Sequence, residues 1–419
     1  MKIGSFAKSA ALMFIAMRMG DAVNLAAGMW FVPKYVSPEE IGAVLPLTSF
    51  ATFVSLPVFA FAMTVMAESA RLAADEDRGR LKSLLSGVFA AVAAILVAVL
   101  VVTAVAMPCF LESMRVSSRS AGFLVVTAAF LGCAAPIYTD ALQAMKRFRA
   151  LGAIEFLGSV ARLATMAVAM PARALAGYFA GQAALPVFRI AASVFALRRD
   201  LSVQSAPFWN RSAVRRVALS FLAILAYQAA PMFAALAEQS ILRTSCSSMD
   251  SAGYYMVSRF SDFLNYMTFP LLLVLFPYTA TAAKKGEATR PYVLKCSAAA
   301  LSAALAMSVV YWLAGERLLA LMPNGADYAE YAPFMSWLVV AAALTSCQVF
   351  YTNAEVSAGR FGFLKWLVPL HVGYPVALYA ASRCGRLPDL KTVVCWFAAA
   401  SAARFFFAAV SCCRSARGN

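Results

Sequence analysis

Residues 84–107 read LLSGVFAAVAAILVAVLVVTAVAM. These 24 residues hold no charge and exceed the roughly 20 apolar residues an α-helix needs to cross a bilayer. Arg78, Arg80 and Lys82 stand just before them. An apolar run of bilayer length with a basic lead-in reads as a membrane span. The rest of the chain repeats the pattern. The spans are Ala10–Val32, Ile41–Ala67, Leu84–Met107, Ala121–Ala144, Leu151–Met170 and Ala174–Ala196, then Val214–Ile241, Ala252–Ala282, Tyr292–Ala314, Tyr331–Ala354, Gly362–Ala381 and Thr392–Val410. The fifth and sixth meet at Pro171-Ala172-Arg173. The expected fold class is therefore an all-α polytopic membrane protein of about twelve transmembrane helices.

Composition agrees. The 419 residues are 62% hydrophobic and 13% charged, with mean hydropathy +0.74. Soluble domains run near 45–50% apolar and about 25% charged. A soluble enzyme, a disordered chain and a nucleic-acid-binding domain are all excluded. The connections between spans are short, so any activity must sit inside the bundle. Lys2 and Lys8 before the first span resemble the start of a signal peptide, but Arg18 and Asp21 interrupt the apolar stretch. It is read as a retained helix. The nine Cys form no CxxC pair, and the single His, His371, lies in an apolar helix. Both read as core residues, so no metal and no cofactor is expected.

The 36 Lys and Arg and 20 Asp and Glu leave a net charge of +16. With the N-terminus in the cytoplasm, 22 of the 36 basic residues fall on cytoplasmic segments and 9 on the opposite face. That asymmetry follows the positive-inside rule and gives N-in, C-in topology in the cytoplasmic (inner) membrane. The bland reading of these loops is a solvated surface facing anionic lipid.

The polar stretch Arg198–Arg211 separates six spans from six. The expected organisation is an N-terminal lobe over 1–200, a cytoplasmic linker over 201–212 and a C-terminal lobe over 213–419. Ser37-Pro38-Glu39-Glu40-Ile41-Gly42 leads into the second span, and Met249-Asp250-Ser251-Ala252-Gly253 into the eighth. Ser37 is placed to cap its helix, with Pro38 in the first helical position. Pro46 and Pro57 are expected to break the second span, and Pro270 and Pro277 the eighth. Interrupted helices in corresponding positions of two halves point to a transport site, and kinks made for packing are the alternative.

These features together resemble a family. The two lead-ins, including Tyr254-Tyr255, are similar to the polysaccharide exporter branch of the multidrug/oligosaccharidyl-lipid/polysaccharide flippase superfamily. So are Phe276-Pro277 running into Lys284-Lys285-Gly286, Gln143 with Arg147-Phe148-Arg149, Ala358-Gly359-Arg360, and Asn324-Gly325-Ala326-Asp327-Tyr328. The resemblance implies two pseudo-symmetric six-helix lobes and a flippase that moves polyprenyl-pyrophosphate-linked oligosaccharide across the membrane by alternating access. It implies no enzymatic step. Its partners would be the lipid-linked glycan, membrane lipids and polysaccharide polymerase or ligase machinery, with no nucleic acid and a monomeric state. The chain departs from typical lipid II flippases in being somewhat short and in lacking their added C-terminal helix pair.

Ionisable residues inside spans are costly and are candidates for function. The substrate cavity is expected to use Arg18, Asp21, Arg162, Arg189, Arg259, Asp262 and Tyr255, because Arg matches pyrophosphate oxygens with several charge-assisted hydrogen bonds. Tyr227, Tyr254, Tyr266 and Asn265 would contact sugar. Asp21, Glu155 and Glu238 are candidates for a coupling proton or Na⁺. Arg18 with Asp21, and Arg259 with Asp262, are three apart on one helix face, so each could equally be a local ion pair. Glu155 and Arg162, seven apart, share a face. The rival readings are a drug or cation exporter of the same superfamily, a major-facilitator transporter and a membrane-embedded glycan enzyme.

Overall fold

A computed structural model describes residues 3–75, 77–145, 147–199, 202–284, 287–357, 360–385 and 389–415. Lys2, Glu76, Lys146, Asp200, Lys285, Gly286, Ala358, Gly359, Arg386 and Arg417 lie outside them. The described residues are mostly helical, with no strand among them. The helices are α1 (Ile3–Tyr35), α2 (Pro38–Ile41), α3 (Val44–Val54), α4 (Leu56–Ala74), α5 (Arg78–Ser113), α6 (Arg119–Ala134) and α7 (Pro136–Ala144). Then come α8 (Phe148–Leu197), α9 (Arg211–Ser245), α10 (Ser248–Lys284), α11 (Arg290–Ala320), α12 (Pro333–Ser357), α13 (Leu364–Arg383) and α14 (Leu390–Ser415). A 3₁₀ turn over Gly325–Tyr331 precedes α12.

Each of the twelve predicted spans falls on this helix set. Among the described residues, seven helices are long and apolar enough to cross a membrane by length and composition, or eight if the bent pair α3–α4 is one span. The chain is a multi-pass membrane protein. The most apolar helix, α5, leaves Phe89, Val97, Val101, Val102 and Val105 exposed. In water that face would be unfavourable; against lipid chains it costs nothing.

The 50-residue α8 is too long for one crossing, since 1.5 Å per residue gives about 75 Å against a hydrocarbon core of about 30 Å. Ala174, with φ 38° and ψ −111°, breaks it into two limbs, one residue past the Pro171–Arg173 boundary. The limbs come together because residue 177 is glycine. A Cβ there would lie 2.6 Å from the backbone of Ala169 and Met170.

The proline expectation holds on one side only. Helices α3 and α4 meet at Ser55, beside Pro57, with a bend of 58°. Helix α10 instead continues through Pro270 and Pro277 as one element, so the expected break in the eighth span is corrected. A proline removes one hydrogen bond and bends a helix, but neighbouring groups in a membrane bundle can re-satisfy the freed carbonyl. The fourth span runs through α6 and α7 as one crossing, since Ala135, just before Pro136, keeps helical dihedrals and donates to Leu131 O.

Contacts divide the chain into two compact units, Met1–Val36 with Val44–Met232, and Ser37–Ala43 with Phe233–Asn419. In the first, α1 and α6 pack along α8, and α4 packs on α7. Helix α9 begins in this unit, where Arg216 reaches Glu68 through Nε (2.5 Å) and Nη2 (3.2 Å), with Arg71 at 2.9 Å from the same carboxylate. In the second, α12 is central and packs on α10, α11 and α14 around Leu275, Val293, Phe350 and Ala408.

The two lead-ins are packing devices. Ser37 Oγ accepts the Glu40 N–H at 3.4 Å, as a cap should. Within the second unit, a Cβ on Gly42 would lie 2.7 Å from Ser251 Cβ, and one on Gly253 would strike the Tyr331 ring. Arg243, fully buried, donates from Nη2 to Glu39 O at 2.6 Å.

Candidate functional site

The first unit holds a polar cluster between α1 and both limbs of α8. Arg18, Asp21 and Asn24 recur at three-residue steps along one face of α1. Arg18 Nη1 contacts Asp21 Oδ2 at 3.0 Å, and both side chains are about a quarter exposed, at 24% and 28%. Asn24 Nδ2 donates to Ser159 Oγ at 3.1 Å, and Ser159 Oγ donates to Glu155 O at 3.1 Å. Glu155 forms an ion pair with Arg189. Asp21 also feels the charge of Arg189, and Glu155 feels Asp21. Asp140, from α7, lies within electrostatic reach of Glu155. Five charged groups from three helices thus form one field: three carboxylates and two guanidiniums.

The expected alignment of Glu155 with Arg162 is not how the charge is balanced. The ion pair described for Glu155 is with a residue of the other limb. The return limb of α8 brings Arg189 alongside instead. Arg162 is buried within α8.

The second unit holds two groups. Arg259 Nη1 meets Asp262 Oδ2 at 3.0 Å, with exposures of 24% and 26%, and Asn265 Nδ2 donates to Asp262 Oδ1 at 3.4 Å. The Arg259 guanidinium lies over the Tyr255 ring, 4.9 Å from its centroid, and Tyr255 is buried beneath it. The pair repeats the geometry of Arg18 and Asp21.

The other group surrounds Glu238 on α9; Glu238, Tyr254, His371, Tyr374, Ser401 and Arg404 are buried, and Gln239 is half-buried. Tyr254 Oη and Gln239 Nε2 each donate to Glu238 Oε1 at 3.4 Å. Tyr374 and Arg404 lie within its electrostatic reach. Arg404 Nη1 is 3.3 Å from His371 Nδ1, and its Nη2 donates to Ser401 Oγ at 3.3 Å. Its guanidinium faces the Tyr374 ring at 5.7 Å. Glu238 therefore shares a low-dielectric pocket with a fixed cation from α14. Sequence reasoning missed this assembly. Glu238 and Tyr254 were named separately, and the signal for the rest was ionisable residues isolated in apolar runs, at Arg404 and His371, with nothing to say that α9, α13 and α14 converge.

Comparison with solved structures places this arrangement in a known fold. The inward-facing conformation of a multidrug resistance MATE family transporter of the MOP superfamily superimposes with a TM-score of 0.72 over 98% of both chains, at 13% identity. An outward-facing conformation from that family gives 0.63 over 98% of this chain and 96% of that one, at 15% identity. A variant of a MATE transporter from Vibrio cholerae gives 0.63 over 99% and 98%, at 14% identity. No sequence family and no curated protein matches the chain. The class is thus a multi-pass membrane protein with the MATE-like transporter fold. At these identities the likeness is one of fold.

Proposed function

We propose that this chain is a secondary transporter of the inner membrane, working as a monomer by alternating access and catalysing no covalent step. Its cargo on this reading is an organic cation, exchanged for a proton or Na⁺ held by Asp21 and Glu155. The observation that carries it is the charge balance of the α1–α8 cluster. Asp21, Glu155 and Asp140 outnumber Arg18 and Arg189 in one half-buried field. A site with more carboxylates than guanidiniums favours a cation and opposes a doubly negative headgroup. Solved structures of this fold, in inward-facing and outward-facing conformations, are multidrug resistance transporters, which supports the same reading.

A second reading, the flipping of polyprenyl-pyrophosphate-linked oligosaccharide beside polymerase or ligase partners, is favoured by a separate observation. Arg18–Asp21 and Arg259–Asp262 recur with the same spacing and exposure. Each leaves a guanidinium about a quarter exposed, able to donate to a phosphate oxygen.

Proteoliposomes separate the two. Under an imposed pH or Na⁺ gradient, cation antiport predicts uptake of a fluorescent organic cation that Asp21→Asn and Glu155→Gln abolish. Absence of uptake under both gradients, with gradient-dependent translocation of a lipid-linked oligosaccharide, would replace antiport with flipping.

A further inference from the structure

On the first unit, α5, α7 and α8 line an open cavity of about 360 Å³. That volume lies within the range of about 300–1,000 Å³ that holds small ligands. Its walls are Leu85 and Phe89 from α5, Tyr138 from α7 and Val194 from α8, and its rim carries Lys82 and Arg198. No acidic residue lines it among the described residues.

The cations and the apolar walls are arranged in order. Lys82 and Phe89 are seven apart, two turns on one face of α5, so the head of the cavity is about 10 Å from its apolar end. Val194 and Arg198 are one turn apart on α8 and run the same way. Phe89 is 66% exposed and Val194 48%, so the apolar end opens onto the outer, lipid-facing surface of these helices. The head is fixed in place. Lys82 Nζ donates to Val203 O at 3.0 Å, and the Arg198 guanidinium stacks on the Phe195 ring, 3.8 Å from its centroid. The segment carrying Val203 is itself tied to α5, since Trp209 Nε1 donates to Ser83 O at 3.3 Å and Ala206 N to Gly79 O at 3.2 Å.

We propose that this cavity binds one anionic lipid, its phosphate between Lys82 and Arg198 and one acyl chain along Phe89 and Val194. A site with two cations at one end and largely apolar walls beyond, Ser86 and the Tyr138 hydroxyl being the other polar groups, suits a molecule with that same division. Neither a soluble anion nor an uncharged lipid uses both ends. The bound lipid would brace α5 against α8 at the end where residues 202–210 dock.

The test uses the purified full chain. Native mass spectrometry compares retention of phosphatidylglycerol and phosphatidylcholine with identical chains, with inorganic phosphate as competitor. Two basic side chains near a surface phosphate, at about 1 kcal/mol each, predict a preference of about 30-fold for the anionic lipid. The double variant Lys82→Gln/Arg198→Gln should reduce it to within about 2-fold, while Arg317→Gln, an exposed cation on α11, should leave it intact. Retained preference in the double variant overturns the proposal. Displacement of the lipid by millimolar phosphate also overturns it, in favour of a free-anion site. Photoactivatable phosphatidylglycerol on the unmodified protein gives a reading that needs no variant. Labelling confined to peptides 78–89, 136–144 and 194–199 supports the site, and labelling spread over other helices refutes it.

Discussion

Replacing Glu155 with Gln keeps the side-chain shape and removes one charge. It leaves Arg189 facing a neutral amide, with exposures of 13% for the carboxylate and 26% for the guanidinium. Two unit charges about 4 Å apart attract by about 4 kcal/mol at an effective dielectric of about 20. A quarter-exposed guanidinium regains part of that from solvent, and the pair has already lost hydration on forming. The net cost expected for Glu155→Gln is about 1–3 kcal/mol. At about 2–4 °C per kcal/mol for a unit of this size, the midpoint should fall by about 2–12 °C. Thermal unfolding in nanodiscs, followed by fluorescence-detected size exclusion, measures it. The decisive design is a cycle with Arg189→Gln and the double variant. Partners in one ion pair should be non-additive, with a coupling of about 1–3 kcal/mol. Effects additive to within about 0.5 kcal/mol would refute the pairing across the two limbs of α8. The exchange Glu155→Arg/Arg189→Glu then separates structure from function. It restores an ion pair, so stability should recover. The carboxylate has moved to the other limb, so gradient-driven uptake should stay lost.

Three further outcomes follow from the same geometry. Glu238→Gln or Arg404→Met alone strands a buried charge and should cost about 3–5 kcal/mol, while the double variant recovers most of it; an equal loss in all three, by the same unfolding assay, would mean that the charges do not compensate one another. Ala174→Gly should raise the unfolding midpoint by relieving a positive-φ alanine worth about 1–3 kcal/mol, and Gly177→Ala should lower it, because the new methyl meets backbone with no side chain to move aside. Arg259→Lys keeps the charge but loses the planar face over Tyr255; it should weaken transport of a lipid-linked oligosaccharide and leave organic-cation uptake unchanged in the proteoliposome assays.

How much of this was legible depends on the range of the interaction. A span is written in about 20 consecutive residues, so Leu84–Met107 could be read without the rest of the chain. The hairpin in α8 was legible to within a residue or so, because Pro171 marks it locally. The ion pairs Arg18–Asp21 and Arg259–Asp262 were legible too, since three-residue spacing on a helix fixes the contact. Glu155 was assigned no contact with Arg189 because that contact depends on where the second limb of α8 returns, and 34 residues of apolar helix do not encode a register. His371 was read as a core histidine, and buried it is, but its neighbour Arg404 is a helix away. The two lead-in motifs carry more than a helix start, since Gly42 and Gly253 are each a close approach that a Cβ would block, and the partner at each comes from elsewhere in the chain.

The duplicated Arg–Asp pair bears on the cargo through its cost. A lone guanidinium inside a membrane is expensive, and a carboxylate one turn away on the same helix removes most of that cost. Such a pair is therefore neutral overall. A doubly negative headgroup arriving there would meet Asp21 or Asp262 as well as the arginine, so its binding would have to be accompanied by protonation of the carboxylate or by its withdrawal. An organic cation meets the opposite requirement, since it competes with Arg18 for Asp21 and gains when that carboxylate is charged. The two cargoes thus demand opposite proton counts at one residue. Asp21→Asn, which fixes the neutral state, should abolish cation exchange and should leave a pyrophosphate headgroup bound more tightly than before. Tighter binding of a polyprenyl-pyrophosphate analogue to Asp21→Asn than to the unmodified chain would argue for flipping, and unchanged or weaker binding would argue against it.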